Sequence, residues 1–200
     1  MNVFQALIER RRASSFEKYK INEKYLGLIL HAATFAPSAG NLKPWEFVIV
    51  EEEETKKKIA ELSLKEEKII QASTLIIVCM DLKKIGLRYP DKKEEYMLED
   101  AGSVITYIML AAKGLGLDSD WIRVFDKEKI SRLLELGDDL IPCGIVLLGK
   151  GREFQFEGEI PFENISHKEK YGKKFERGIS NLVREIFFSI FRRIKEKIKR

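Results

Sequence analysis

Reactive side chains are scarce in this 200-residue sequence, which contains only two cysteines and two histidines. Cys79 and Cys143 lie inside apolar runs, a setting that predicts buried free thiols and no metal centre. His31 and His167 have the surroundings of ordinary helix and loop residues, and no serine and acid accompany them in the pattern of a hydrolase triad. We therefore expect neither a bound metal nor a catalytic side chain of the triad type.

Sequence signals for several protein classes are also missing. No window of eighteen apolar residues occurs, so we expect no membrane-spanning helix. The first residues lack the apolar stretch of a signal peptide, which predicts a cytoplasmic protein. No Walker loop and no Gly-x-Gly-x-x-Gly after a predicted strand is present, which excludes the common nucleotide-binding loops. The net charge of +4 is too small to indicate nucleic acid, and we expect no nucleic-acid partner.

The chain does contain a regular alternation of helical and extended segments. Hydrophobic residues make up 44% of it and charged residues 34%, which is typical of a globular protein. Asn2 and Asn22 are placed to cap helices, and the apolar runs at residues 45–50, 74–80 and 142–149 predict buried strands. Helices that alternate with strands predict a mixed α and β class in one domain.

The longest predicted helix covers residues 94–117, and its second half is apolar almost all round. A helix of that kind is buried on more than one side. One small sheet cannot cover it, so its extra apolar surface indicates a subunit interface. The polar residues 83–93 before it predict an irregular, mobile loop.

Three consecutive arginines, residues 10–12, stand beside Ser14 and Ser15 just after the first predicted helix. Planar guanidinium groups form paired hydrogen bonds with phosphate, so the cluster fits a phosphate site. The same arginines also fit a basic helix end that complements the helix dipole. This segment alone leaves both interpretations open.

Residues 36–47 form a second distinctive segment, in which two prolines, small residues, Asn41 and Trp45 lead into a strand. Prolines fix the backbone, small residues let a flat ligand approach it, and an asparagine amide donates and accepts hydrogen bonds along a heterocycle edge. A plain connection from helix to strand is the alternative, but it does not explain the order Pro, Ser, Asn, Pro, Trp.

This second segment resembles the Pro-Ser-x-x-Asn-x-Gln-Pro-Trp signature of the FMN-dependent nitroreductase family. Residues 10–16 are similar to that family's opening Arg-Arg-Ser-x-Arg-x-Phe, residues 100–117 to its long central helix, and residues 121–126 and 141–149 to strands that follow. The matches keep the family's order and spacing over residues 4–171.

The resemblance implies an α+β sandwich, with a central mostly antiparallel sheet flanked by helices, that forms a homodimer with FMN at the subunit interface. We expect this FMN-binding domain over residues 1–175, and a basic amphipathic helical extension beyond it over residues 176–200. Members of the family take a hydride from NADH or NADPH onto flavin N5 and reduce a nitroaromatic, a quinone or a flavin in a ping-pong cycle. The protein then supplies binding, orientation and electrostatics and no catalytic side chain.

The resemblance also implies the site residues, position by position. The FMN phosphate is expected at Arg10, with Arg11, Arg12 and Ser14 in the same segment. The flavin ring is expected to be lined by Pro37, Ser38, Ala39 and Asn41, with Asn41 at its polar edge. Further contacts are implied at Lys65, near the pyrimidine ring, and at the backbone of Ile122, Arg123 and Val124, near the other face and N5.

Two positions of the arginine segment depart from the family pattern, which has serine where Arg12 stands and arginine or lysine where Ser14 stands. A cation near flavin N1 and O2 favours the anionic reduced flavin. Our hypothesis is that this flavin is harder to reduce than usual unless Arg12 or Lys65 compensates.

A third departure concerns the phosphate, since residues 157–161 carry two glutamates where the family has a basic pair. Either Lys150 and Arg152 replace that pair or the arginine cluster holds the phosphate alone. We favour a contribution from Lys150 or Arg152.

Residues 178–200 lie beyond the resemblance and have apolar residues at spacings of three and four with a basic end. We favour a helix that packs on the dimer partner; weak contact with a membrane surface is the alternative. Two other functions stay open, namely a reductive dehalogenation or flavin fragmentation on the same fold, and a flavin-binding, membrane-associated protein with low turnover.

Overall fold

A computed structural model describes residues 2–155, 160–174 and 185. The chain forms two compact units, Met1–Phe156 and Glu157–Arg200. The second unit contains a short helix and one bridge between His167 and Lys174. The predicted helical extension over residues 176–200 lies outside the described residues, apart from residue 185.

Within the described residues, five strands form one sheet. Its strands are β1 (Arg12–Glu17), β2 (Trp45–Val50), β3 (Thr74–Asp81), β4 (Asp118–Ile122) and β5 (Leu140–Gln155). Their order is β1-β4-β5-β3-β2, and β1 also pairs with β5. The paired strands are antiparallel except for β1 and β4, which confirms the predicted mostly antiparallel sheet.

Helices flank the sheet, as predicted. They are α1 (Val3–Glu9), α2 (Glu23–Ala33), α3 (Glu53–Glu61), α4 (Lys68–Gln71), α5 (Leu82–Gly86), α6 (Lys93–Gly114) and α7 (Lys127–Leu133). The short helix of the second unit is α8 (Phe162–Ile165). The expected caps are present, since Asn2 accepts from the Gln5 N–H at 2.9 Å and Asn22 accepts from the Lys24 N–H at 2.9 Å. In residues 2–155 and 160–174, every helix is too short or too polar to span a bilayer.

Residues 83–93 do not form the irregular loop that their polarity predicts. They contain most of α5 and a 3-10 turn at Pro90–Lys92. Asp81 caps α5 by accepting a hydrogen bond from the Lys84 N–H at 2.8 Å, and the Ile85 side chain is fully buried. One buried anchor and one cap therefore give helical structure to a segment whose composition is that of a loop.

The core lies on both faces of the sheet. Alternate residues of β3 enter different layers, with Ile76 facing α2 and α6, and Ile77 facing the layer that contains α3, α4 and α7. Both cysteines are free, as predicted; Cys79 is buried as expected, whereas Cys143 is only partly buried. Burial raises the pKa of Cys79 to about 12 and that of Cys143 to about 11, so both thiols are protonated at neutral pH.

Candidate functional site

The arginine segment forms strand β1. Arg12 opens this strand, opposite Ser119 of β4 in parallel register and opposite Gln155 of β5 in antiparallel register. The register shifts around Ser14, which marks a β-bulge. A bulge turns side chains out of the regular alternation of a strand, so β1 presents its polar residues irregularly along its length.

The three arginines have different surroundings. Arg10 is half-buried after the last turn of α1. Arg11 is exposed and its Nη1 donates to the Ile8 carbonyl at 2.7 Å, which is the helix-end contact that the dipole interpretation describes. Arg12 is half-buried, and its Nε lies 2.8 Å from Asp120 Oδ1. The cluster therefore combines a helix cap with a cation that faces β4.

Asp120 and Lys68 form a buried ion pair beside β1. Their side chains are 2% and 8% exposed, and Lys68 Nζ lies 2.8 Å from Asp120 Oδ2 and 2.6 Å from Glu66 Oε2. Burial lowers the pKa of Lys68, but its interactions with Asp120 and Glu66 outweigh burial and raise that pKa above its ordinary value. Lys68 is therefore a protonated, buried cation at neutral pH.

The sequence prediction chose Lys65, and the structure gives Lys65 and Lys68 different positions. Lys65 is exposed, with a left-handed backbone at φ +57°. It lines a cleft of about 460 Å³ together with the predicted residue Val124. Lys68 is the first residue of α4. It forms an ion pair with Asp120, which also forms an ion pair with Arg12. A lysine directly before the apolar pair at residues 69–70 was the available signal for burial.

The loop between α2 and β2 carries the second predicted group of site residues. Hydrogen bonds fix it to α6, because the Ala39 N–H donates to Asp100 Oδ1 at 2.9 Å and Ser103 Oγ donates to the Pro37 carbonyl at 2.9 Å. Within the loop, Ser38 Oγ accepts from the Lys43 N–H at 2.8 Å. These hydrogen bonds fix the shape of the loop.

The backbone of this loop adopts left-handed conformations at Gly40, Asn41 and Lys43, with φ of +56°, +56° and +49°. Glycine and asparagine tolerate this region best. A Cβ at Gly40 would lie 2.6 Å from Tyr89 Oη and 3.1 Å from Arg88 Nε, so any other residue there would have to displace Tyr89. The Asn41 side chain is exposed at this bend, where its amide is accessible to a ligand.

Asp100 is the buried support of the loop, with an exposed fraction of 4%. Burial raises the pKa of Asp100 above its ordinary value, and the hydrogen bond from the Ala39 N–H offsets part of that rise. Its second oxygen, Oδ2, is buried without a hydrogen-bond partner among the residues that the structure describes.

Residues Ile122, Arg123 and Val124 lie at the end of β4, where the resemblance places the flavin's other face. Ile122 is buried and Val124 is 61% exposed. The Arg123 guanidinium stacks on Trp121, with its central carbon 3.9 Å from the ring centroid. Such stacking orients the exposed cation along the strand end.

Lys150 and Arg152 lie on β5 in the stretch that pairs with β1. Lys150 stands opposite Glu17, at the far end of β1 from Arg12. Its Nζ donates to the Gly116 carbonyl and lies 5.5 Å from the centroid of the Tyr19 ring. Arg152 is exposed. The structure thus brings Arg152, more than Lys150, towards the arginine end of the strand pair.

Comparison with known proteins gives the family of the chain. The profile of the nitroreductase family matches residues 7–84 and 64–150. The chain belongs to the nitroreductase family. A protein of Archaeoglobus fulgidus, provisionally named NADH dehydrogenase/NAD(P)H nitroreductase, is 31% identical over 169 residues, which cover 81% of this chain and 94% of that protein. The oxygen-insensitive NADPH nitroreductase of Helicobacter pylori strain J99 is 30% identical, over 73% of this nitroreductase-family chain and 86% of its own.

Solved structures show the same fold. The hypothetical oxidoreductase YcnD from Bacillus subtilis superposes with a TM-score of 0.77 at 24% identity, over 90% of this chain and 78% of that one. An FMN-dependent nitroreductase from Clostridium difficile superposes with a TM-score of 0.72 at 23% identity, over 86% of this chain and 100% of that one. This member of the family therefore has the nitroreductase fold, and the family identifies it as an oxidoreductase.

Proposed function

We propose that this protein is an FMN-dependent oxidoreductase that takes a hydride from NADH or NADPH and reduces a small acceptor, either a nitroaromatic, a quinone or a flavin, by a ping-pong mechanism. The observation that supports this most is the loop over residues 37–43, which hydrogen bonds to Asp100 and Ser103 hold in a fixed shape. Internal hydrogen bonds that restrain a binding surface reduce the ordering entropy that is lost when a ligand binds.

The donors in the described residues fit FMN. Phosphate is matched by the arginines of residues 10–12, and the polar edge of the ring by the exposed Asn41 amide. Ser15 Oγ on β1 and Trp121 Nε1 on β4 are buried without a hydrogen-bond partner among residues 2–155. Ser119 Oγ on β4 is a further such group. Buried polar groups normally have partners, so unsatisfied groups on these neighbouring strands are consistent with a polar ligand nearby.

FMN would supply the hydride chemistry at N5, and this chain's residues would bind and orient it. The arginine segment, with help from Arg152, would hold the phosphate. Pro37, Ala39 and Asn41 would line the ring, and the backbone of residues 122–124 would approach its other face. The protein then performs no acid or base step with a side chain of its own.

The two halves of this site lie towards opposite edges of the sheet in one subunit. The loop over residues 37–43 leads into β2, which pairs with β3, whereas β1 pairs with β4 and β5. At least β5 and β3 separate the two strands, which amounts to roughly 14 Å at about 4.8 Å per strand. We propose a homodimer in which the loop of one subunit completes the site that begins on β1 of its partner.

Apolar residues on α1 and α6, which pack on each other, support the dimer. Val3, Phe4 and Leu7 of α1 and Leu98 of α6 are between 49% and 61% exposed. Phe4→Glu should shift sedimentation velocity from dimer to monomer and abolish FMN binding, because the burial of these side chains drives association. Lys58→Glu on α3 is the control. A Phe4→Glu variant that stays dimeric would exclude this interface.

Colour provides the test of function. Purified protein should bind added FMN and turn yellow, and should bleach when NADH or NADPH is added without oxygen. Bleached protein should recover its colour on addition of a quinone or a nitroaromatic. Yellow protein that neither nicotinamide bleaches would be a flavin-binding protein with little turnover, and protein that rejects FMN would refute the proposal.

A further inference from the structure

The carboxylate of Asp120, on β4, is buried and pairs with Arg12 of β1. Both strands carry proposed flavin contacts. Asp120 lies on β4 next to Ser119, which is opposite Arg12 of β1, and two residues before Ile122. Its carboxylate is 2% exposed and makes close ion pairs with Arg12 and Lys68, both at 2.8 Å. Neither its burial nor its partners follow from its place in a strand.

The four charged groups of this cluster balance each other. Arg12 and Lys68 each carry a positive charge, and Asp120 and Glu66 each carry a negative one. A cation that is paired at hydrogen-bonding distance exerts a weaker field on a third group than a free cation does. Asp120 pairs with both Arg12 and Lys68, so it weakens the positive field that these two cations exert on a neighbouring ligand.

We propose that Asp120 is a positioning residue that holds Arg12 and Lys68 and, by neutralising them, sets the preference of the site for oxidised over reduced FMN. This inference rests on the proposed function, because it concerns the same flavin. Asp120 is predicted to make the bound flavin harder to reduce, since uptake of two electrons and one proton from the nicotinamide adds one negative charge to it.

Asp120→Asn tests this proposal, because asparagine keeps an acceptor for Arg12 and loses the charge. The variant should bind reduced FMN about tenfold more tightly, relative to oxidised FMN, than the wild type. One unit charge within about 10 Å, at an effective dielectric constant of about 20, changes a binding ratio by roughly that factor. Tenfold corresponds to about 30 mV in a two-electron midpoint potential, measured by anaerobic redox titration of the FMN-loaded full-length protein.

Asp118→Asn is the matched control, since Asp118 lies two residues earlier on β4 and pairs with Lys113 at 3.0 Å. Its potential should equal that of the wild type. Lys68→Gln should lower the potential, because it leaves Asp120 in excess. The double variant Lys68→Gln with Asp120→Asn restores neutrality and should return close to the wild-type value, which keeps the proposal testable if Asp120→Asn alone fails to fold.

The possible results separate cleanly. A raised potential in Asp120→Asn, or a higher potential in the double variant than in Lys68→Gln, supports the role of Asp120. Folded variants that bind FMN at an unchanged potential overturn it and leave the proposed function intact. A wild-type protein that takes up no FMN in equilibrium titration overturns the proposed function and, with it, this inference.

Discussion

The loop over residues 37–43 and the strand β1 hold their shapes by different forces. Hydrogen bonds between the loop backbone and the side chains of Asp100 and Ser103 fix the loop, whereas β1 is joined to its neighbours partly by the ion pair of Arg12 with Asp120. Hydrogen bonds to backbone groups fix the loop through their distances and directions. The half-buried ion pair instead sets an electrostatic field around β1, and a substitution that removes one of its charges alters that field.

The largest expected effect falls on the charged region. Asp120→Ala should lower the free energy of unfolding by about 3 kcal/mol, because it leaves Lys68 buried with only Glu66 as a partner. Urea denaturation of the FMN-free protein measures this. The exposed pair of Lys57 and Glu54 at 2.7 Å offers a control, since Glu54→Ala should leave the midpoint unchanged. Equal stability of Asp120→Ala and wild type would show that the cluster is not a buried one.

A substitution at Gly40 in the loop should lower the free energy of unfolding by somewhat less than Asp120→Ala does. Gly40→Ala is expected to destabilise the protein by about 2 kcal/mol, because alanine is disfavoured at φ +56° and its Cβ would displace Tyr89. Gly27→Ala, in the interior of α2 with open space around it, should instead stabilise the protein by about 0.5 kcal/mol. Denaturation curves that rank the two variants in the opposite order would contradict this view of the loop.

The contribution of Asp100, which supports the loop, to the free energy of unfolding depends on pH. Burial raises the pKa of Asp100 above its ordinary value, so the native state loses stability as pH rises from the ordinary carboxyl range through that raised pKa. Asp100→Asn keeps the acceptor for Ala39 without the charge and should stabilise the protein at pH 7, on the order of 1 kcal/mol. At pH 3 the gain should vanish, and thermal melts at both values check it. A gain of the same size at pH 3 would mean that charge is not its cause.

The smallest effect is expected at Lys65. Because this side chain is exposed, Lys65→Ala should change the free energy of unfolding by less than about 0.5 kcal/mol and leave FMN affinity close to that of the wild type. Lys68→Ala is the comparison and should weaken both. If fluorescence titration gave Lys65→Ala the larger loss of FMN affinity, the assignment made from sequence would replace the structural one.

Features encoded over a few residues were predictable. The caps at Asn2 and Asn22, the apolar strands β2 and β3, and the loop of residues 37–43 all depend on local conformational preferences. Features that depend on distant pairing were not. Strand β1 is short and polar, and nothing near it in the chain indicates that it pairs with the end of β5.

Ion pairs between residues far apart in the chain could not be predicted from sequence either. Asp120 binds Arg12 across 108 positions of the chain, and no local pattern marks either residue as the other's partner. The burial of Lys68 is also hard to predict, because a lysine in a charged segment is ordinarily exposed. The apolar pair at residues 69–70 is a local signal for that burial, but it does not identify Asp120 as the partner of Lys68.

Strand β5 has a consequence for how the protein is made. It is the last strand in the described chain and the one to which β3, β4 and β1 all bond. A ribosome must therefore synthesise the chain through residue 155 before β1, β4 and β3 can all pair with β5. Until then only the β2–β3 pair and the short parallel β1–β4 pair can form, and the apolar faces of β3 and α6 stay open. We therefore expect chaperones to bind most strongly to nascent chains that end near residue 139, just before β5.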